Sequence, residues 1–293
     1  MKRNIEVSFV LKVESICKKN GDFSLKDISF TLEPGYILGL IGCNGAGKTT
    51  TLKAILNINK PDSGRAYLFE KDMLGGDASY KQEIGIVFGE FYYYGSKRLR
   101  SITSVVKKFY DNWSDDTYRK YMDYFGLDEM KRVSELSTGM RIKYAITIAL
   151  SHNAKLFIFD EPTSGLDPVS RHELLDIFGK IVADGKRSIL FSTHITSDLD
   201  KCADYIVYIQ NGRVIMNADR ETVLDNFRLV SGARKQLTDD VKENLIGYEI
   251  NAFGFTGMMT AENASEYTDL QTARPDIESI MVYSEKNNKA RRN

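Results

Sequence analysis

The chain has 293 residues, 42% of them hydrophobic and 27% charged, enough for one large or two small domains of ordinary globular composition. Lys plus Arg balance Asp plus Glu to a net charge of zero, which argues against a global field for gripping DNA or anionic lipid. The three cysteines (Cys17, Cys43, Cys202) are scattered with no CxxC pair, against a disulfide framework or zinc site and in keeping with a reducing cytoplasm.

No apolar signal core follows the N-terminus, and no apolar run approaches the ~20 residues of a membrane span. Ile5, Val7, Phe9, Leu11 and Val13 alternate with mostly polar residues, as in a half-buried strand. Asn20-Gly21-Asp22 marks a turn, and Ile28, Phe30 and Leu32 alternate again before Pro34-Gly35. Residues 36–41 read as a buried strand that runs into a glycine-rich stretch and then a helical pattern, Leu52-Ile55-Leu56. Short strands are predicted over 65–69 and 84–88. About 90–140 the chain turns polar and aromatic at helical spacing and reads as a helical subdomain. Its Phe91-Tyr92-Tyr93-Tyr94 run, followed by Lys97-Arg98-Leu99-Arg100, suits either an interface or, for the aromatics, the subdomain's own core.

Helix 141–151, strand 156–160, helix 169–182 and strand 188–193 then alternate, which implies a parallel sheet. A hairpin over 206–216 turns at Asn211-Gly212. These elements place one α/β domain over residues 1–218. Residues 219–293 read as a small, less regular extension with apolar clusters at 245–246, 253–259 and 277–283 and a frayed basic end at 286–293.

Gly42-Cys43-Asn44-Gly45-Ala46-Gly47-Lys48-Thr49 follows the pattern G-x-x-x-x-G-K-[ST], which arises by chance in a chain of this length on the order of once in a hundred. Its glycines let backbone N–H groups converge on a polyphosphate at the positive end of the following helix. Lys48 supplies a point charge for the outer phosphates, and the Thr49 hydroxyl suits Mg²⁺. Downstream, the apolar strand 156–159 ends in Asp160-Glu161, at the strand edge where parallel sheets bind ligands. Asp160 is the candidate for Mg²⁺ and Glu161 for polarising an attacking water.

In this order the motifs resemble those of the ATP-binding subunits of ABC transporters, over about residues 10–216. Residues 42–49 resemble Walker A, 157–161 Walker B, Leu136-Ser137-Thr138-Gly139-Met140 the LSGGQ signature, 164–167 the D-loop and Ser192-Thr193-His194 the H-loop. The resemblance implies an α/β P-loop NTPase with a mostly parallel core sheet, an N-terminal antiparallel β-subdomain, a helical subdomain and a small C-terminal extension that dimerises or regulates. It implies ATP held by Gly42, Asn44, Gly45, Ala46, Gly47, Lys48, Thr49 and Thr50, with Ser137 and Gly139 facing the ATP of a second copy. Glu161 and His194 would be catalytic, and Asp167 would couple the two sites or cap the helix that starts at Pro168. The chain departs from the family where the Q-loop glutamine is expected: it reads Gly89-Glu90, so Glu90 joins Thr49 and Asp160 as a metal-side candidate. The adenine-stacking aromatic would fall near Asn20, which leaves Phe23 as its substitute.

The implied activity is ATP hydrolysis coupled to transmembrane transport. The implied partners are a second copy, or a close paralogue, and multi-span permease subunits, with no nucleic acid. The implied place is peripheral, on the cytoplasmic face of the cell membrane. Asn112-Trp113, the Gly89-Glu90 variant, segment 192–200 and the run 277–283 resemble bacterial type-2-like exporters of antimicrobial peptides, drugs and phenol-soluble modulins. An ABC ATPase acting on ribosomes or DNA is the alternative, disfavoured by a single Walker A, no long coiled coil and no zinc cysteines.

Overall fold

The structure is a computed structural model that describes residues 9–76, 78–88 and 94–290. The chain divides into two compact units: residues through His194 together with Cys202–Asn217, and Ile195–Lys201 together with the residues from Ala218 onward.

In the first unit, β1 (Leu11–Asn20) and β2 (Phe23–Leu32) pair antiparallel. Ile5 and Val7 of the predicted first strand lie outside the described residues. β3 (Ile37–Ile41) is buried along its whole length and leads into α1 (Lys48–Ile55). β4 (Ser63–Leu68) and β5 (Lys71–Asp72) complete an antiparallel sheet of order β2-β1-β4-β5. After β6 (Ile84–Phe88) come α2 (Leu99–Val106) and α3 (Asp115–Tyr124). α4 (Thr138–Leu150) starts earlier than the apolar periodicity predicts, because the Ser137 hydroxyl accepts the Met140 N–H and caps the first turn.

β7 (Leu156–Asp160), α5 (Pro168–Val182), β8 (Ser188–Thr193), α6 (Thr196–Cys202), β9 (Tyr205–Gln210) and β10 (Arg213–Asp219) follow. The main sheet has the order β10-β9-β3-β8-β7-β6, and every pairing from β9 through to β6 is parallel. β3, β7 and β8 are continuous apolar or small-residue runs because both faces of a parallel sheet are covered. Asn211 and Gly212 both have positive φ (50° and 74°), as a two-residue turn between β9 and β10 demands.

Gly42, where β3 meets the phosphate loop, has no room for a side chain: a Cβ there would sit 2.3 Å from the Ile209 carbonyl oxygen on β9.

The helical subdomain has its own core of Leu99, Tyr118, Met122, Leu136, Tyr144 and Ile148. The Thr103 hydroxyl bridges the phenols of Tyr118 (3.0 Å) and Tyr144 (2.8 Å), so these two aromatics are structural. Tyr94 is 79% exposed, and Phe91, Tyr92 and Tyr93 lie outside the described residues. The Gln82 amide, just before β6, donates to the Phe109 carbonyl (2.7 Å) and accepts the Asp111 N–H (3.1 Å), tying this subdomain to the sheet. His152, just past α4, is 1% exposed and stacks on Tyr110 at 3.8 Å.

The second unit is more regular than its sequence suggests. α7 (Arg220–Asp225), β11 (Phe227–Gly232), α8 (Asp239–Asn244), β12 (Gly247–Ile250), β13 (Phe255–Thr260), α9 (Ala261–Ala264), β14 (Gln271–Ala273) and α10 (Ile277–Ala290) follow in turn. The strands form an antiparallel sheet of order β12-β13-β11-β14 over a core of Val230, Val241, Leu245, Phe255 and Met259. The basic end expected to fray continues α10 as far as Ala290.

Gly42→Ala forces a backbone shift and is expected to cost about 1–3 kcal/mol, read as a lower Tm. Burial lowers the His152 pKa to about 4, so folding favours its neutral form. That contribution is complete above pH 6.5 and is lost as pH falls toward 4, a change of about 3 kcal/mol. Urea titrations read at the sole tryptophan, Trp113, should show it, with a shallower pH dependence in His152→Phe.

Candidate functional site

The C-terminal ends of β3, β7 and β8 lie side by side, with Ile41 paired to Thr193 and Asp160 to Ser192. This edge of a parallel sheet is where the loops leave a crevice. The loop after β3 wraps into α1 through Gly45 (φ 81°) and Gly47 (φ 114°), conformations that suit glycine. A cleft of about 520 Å³ opens there, lined by Asn20, Phe23, Asn44, Gly45, Gly47, Lys48, Thr49, Thr50, Glu161, Ser164 and His194. Gly42 and Ala46 do not line it: Ala46 is buried, and the Gly42 carbonyl accepts a 2.8 Å hydrogen bond from Lys48 Nζ.

Lys48 is only 6% exposed, so its ammonium needs partners. Besides Gly42 O it reaches Cys43 O at 3.4 Å and Glu161 Oε1 at 3.1 Å. The other carboxylate oxygen, Glu161 Oε2, lies 2.7 Å from His194 Nδ1. A carboxylate accepts only, so this contact places a proton on Nδ1. Glu161 thus sits between a cation and an imidazole at the mouth of the phosphate loop. Its backbone is in the left-handed region, φ 51°, an unusual place for a residue with a side chain.

Asp160 is 6% exposed and points both oxygens at hydroxyls. Oδ2 accepts from Thr49 Oγ1 at 2.8 Å, and Oδ1 accepts from Ser192 Oγ at 2.5 Å. A hydroxyl and a carboxylate converging at the end of the phosphate loop are hard oxygen donors, which fits Mg²⁺. Thr49 and Asp160 are therefore brought together as the sequence suggests. Glu90, the third metal-side candidate, lies outside the described residues. Phe23 reaches the cleft, where its ring edge would lie 2.8 Å from a Cβ on Gly47.

Ser137 and Gly139 line a different cleft, with Phe125, Thr138, Met140, Lys143, Gly165, Leu166, Asp167 and Ser170. It shares no lining residue with the first. Ser137 caps α4 and Asp167 caps α5, so two helix N-termini open onto it. The amides of Ser170 and then Val169 hold the Asp167 carboxyl below the usual range. The sequence names Asn20 only as the place where an adenine-stacking aromatic would fall and Ser164 only within the D-loop resemblance, and both line the first cleft. The sequence gives Ser192 no part beyond the H-loop resemblance, and it is the register of β7 against β8 that sets it opposite Asp160.

A family profile described as ABC transporter matches residues 25–164. The chain is 32% identical over 217 residues to the ABC transporter ATP-binding protein NatA of Bacillus subtilis (strain 168), covering 72% of this chain and 88% of that one. It is 27% identical over 212 residues to the bacitracin transport ATP-binding protein BcrA of Bacillus licheniformis, covering 71% and 69%. A solved ATP-binding subunit of an ABC transporter superposes with a TM-score of 0.67 at 27% identity, covering 73% of this chain and 91% of that one. With a phosphate loop, acidic strand end and signature helix in one cassette, this chain belongs to the ATP-binding subunits of ABC transporters, the ATPases whose hydrolysis of ATP drives transport.

Proposed function

We propose that the chain powers an exporter of peptides or drugs. It works as a homodimer, or with a close paralogue, peripherally on the cytoplasmic face of the cell membrane, beneath separate multi-span permease subunits and without nucleic acid. Among the described residues no helix is long and apolar enough to cross a membrane, and in this reading a partner supplies the path. The name of BcrA, a bacitracin transport protein, supports an amphipathic peptide or drug as cargo, and the motif variants above favour the phenol-soluble-modulin type of exporter.

The observation that carries the mechanism is the chain Lys48–Glu161–His194 beside the pair Thr49–Asp160. In this reading the amides of residues 42–50 hold the triphosphate of ATP, Lys48 neutralises its outer phosphates and Phe23 lies beside the base. Thr49 and Asp160 would hold Mg²⁺, with Glu90 as the further candidate from the sequence, and the ion would supply further neutralisation of the phosphates. As phosphate oxygens take over Lys48, Glu161 is free to accept a proton from water, oriented by its bond to His194. Ser137 and Gly139 close over the partner's nucleotide, donating a hydroxyl and an amide to negative charge. Residues 219–293 form an extension with a dimerisation or regulatory role beyond the ATPase domain of residues 1–218, and residues about 90–140 receive the permease.

Glu161→Gln is expected to lower kcat about 10²–10⁴-fold. The variant should still bind ATP and elute as a dimer from a sizing column run in ATP. Hydrolysis at the wild-type rate would remove Glu161 as the base. Lys48→Ala is expected to weaken ATP binding at least tenfold in an equilibrium titration, by loss of a charge-assisted contact.

A further inference from the structure

Ser192 is a fully buried serine next to the end of β8, and it bonds both acidic residues at the end of β7, Asp160 and the following Glu161. Its hydroxyl donates to Asp160 Oδ1 at 2.5 Å. The same oxygen accepts the Glu161 N–H at 3.0 Å, and the Ser192 carbonyl accepts that N–H at 3.1 Å. One hydroxyl therefore fixes the rotation of the acidic side chain that meets Thr49. It also secures the peptide at which the chain turns to φ 51° to aim Glu161 at Lys48 and His194.

A hydroxyl has one proton and two lone pairs, and both kinds of valence are used here. Alanine leaves Asp160 with one hydroxyl partner in place of two, in a site where the carboxylate is almost wholly buried. Valine has nearly the shape of threonine and no hydroxyl, so that pair separates hydrogen bonding from packing.

We propose that Ser192 is a positioning residue for hydrolysis: through one hydroxyl it sets the metal-side carboxylate of Asp160 and the backbone turn of Glu161 together. This rests on the roles proposed above for Asp160 and Glu161.

The test uses the full chain and four variants, Ser192→Ala, Ser192→Thr, Ser192→Val and Glu161→Gln. Mn²⁺ affinity is read by electron paramagnetic resonance with a non-hydrolysable ATP analogue present. The analogue's affinity in EDTA, measured separately, reports an intact phosphate loop. Loss of the hydroxyl in Ser192→Ala and Ser192→Val is expected to weaken Mn²⁺ binding and lower kcat, each about 10–100-fold, as removal of an outer partner of a metal ligand does. Affinity in EDTA should stay within about twofold in both, because neither variant touches the loop amides. Ser192→Thr should recover both metal affinity and kcat.

Equal behaviour of the threonine and valine variants, or wild-type Mn²⁺ affinity in Ser192→Ala, would overturn the proposal. Glu161→Gln keeps the failures apart. If it hydrolyses normally while Ser192→Ala loses metal affinity, the base assignment falls and the Asp160 arm stands. If it is inactive while Ser192→Ala matches wild type, the positioning role falls alone.

Discussion

The alignment of three neighbouring strand ends is the constraint on which the site depends. β8 pairs with β3 on one side and β7 on the other, so Ile41, Asp160 and Ser192 finish at nearly the same level. In a pleated strand, a slip of one residue turns each side chain to the opposite face. Such a slip in β7 would carry Asp160 away from both Thr49 and Ser192. What resists it lies well behind the site: Leu38, Leu40, Phe157, Phe159, Leu190 and Phe191 are all buried, and a shifted register would leave them mispacked. The apolar core therefore acts on the chemistry by holding polar strand ends in place.

Charge around Lys48 follows from the same geometry. A nearly buried ammonium cannot stand alone, and here two loop carbonyls and a carboxylate satisfy it. In the proposed mechanism a triphosphate entering the loop would compete with these partners for that cation. Glu161 also contacts His194, which is 39% exposed and lines the cleft. The pair also keeps the loop from presenting uncompensated positive charge, and so bears on fold stability as well as on nucleotide binding.

Much of this was legible in the sequence because it depends on local chemistry. The phosphate loop, the acidic end of β7 and Asn211-Gly212 each need particular residues at fixed spacing, and each stands where those residues predict. The hydroxyl bridge at Ser192 was not legible, because it depends on a pairing between strands far apart in sequence. The strands of the second unit were hidden for another reason. β14 is exposed throughout and β12 along most of its length, so neither shows the alternation that betrays a strand. Its helix starts, by contrast, carried signals that went unused: Asp219, Thr238 and Thr260 each accept an amide from the first turn of α7, α8 and α9.

The two clefts of the first unit also bear on why a cassette of this kind needs a second copy. The first is lined by Lys48, Thr49, Glu161 and His194, with Asp160 hydrogen-bonded to Thr49, and none of the signature residues lines it. The second gathers the N-termini of two long helices, both already capped by side chains, with amide ends that favour an anion. Ser137 and Asp167 keep their own N-termini ordered without any ligand, so a phosphate approaching from outside would find donors already oriented and would not have to order the loop first. One chain thus carries two unlike halves of an anion site facing different clefts. A second copy related by a two-fold axis would set each half against its complement, and would do so twice, because an isologous pairing that makes one contact makes its mate. That arithmetic supports the dimer from within a single chain: the residues of the signature and those of the phosphate loop line two clefts that share no residue.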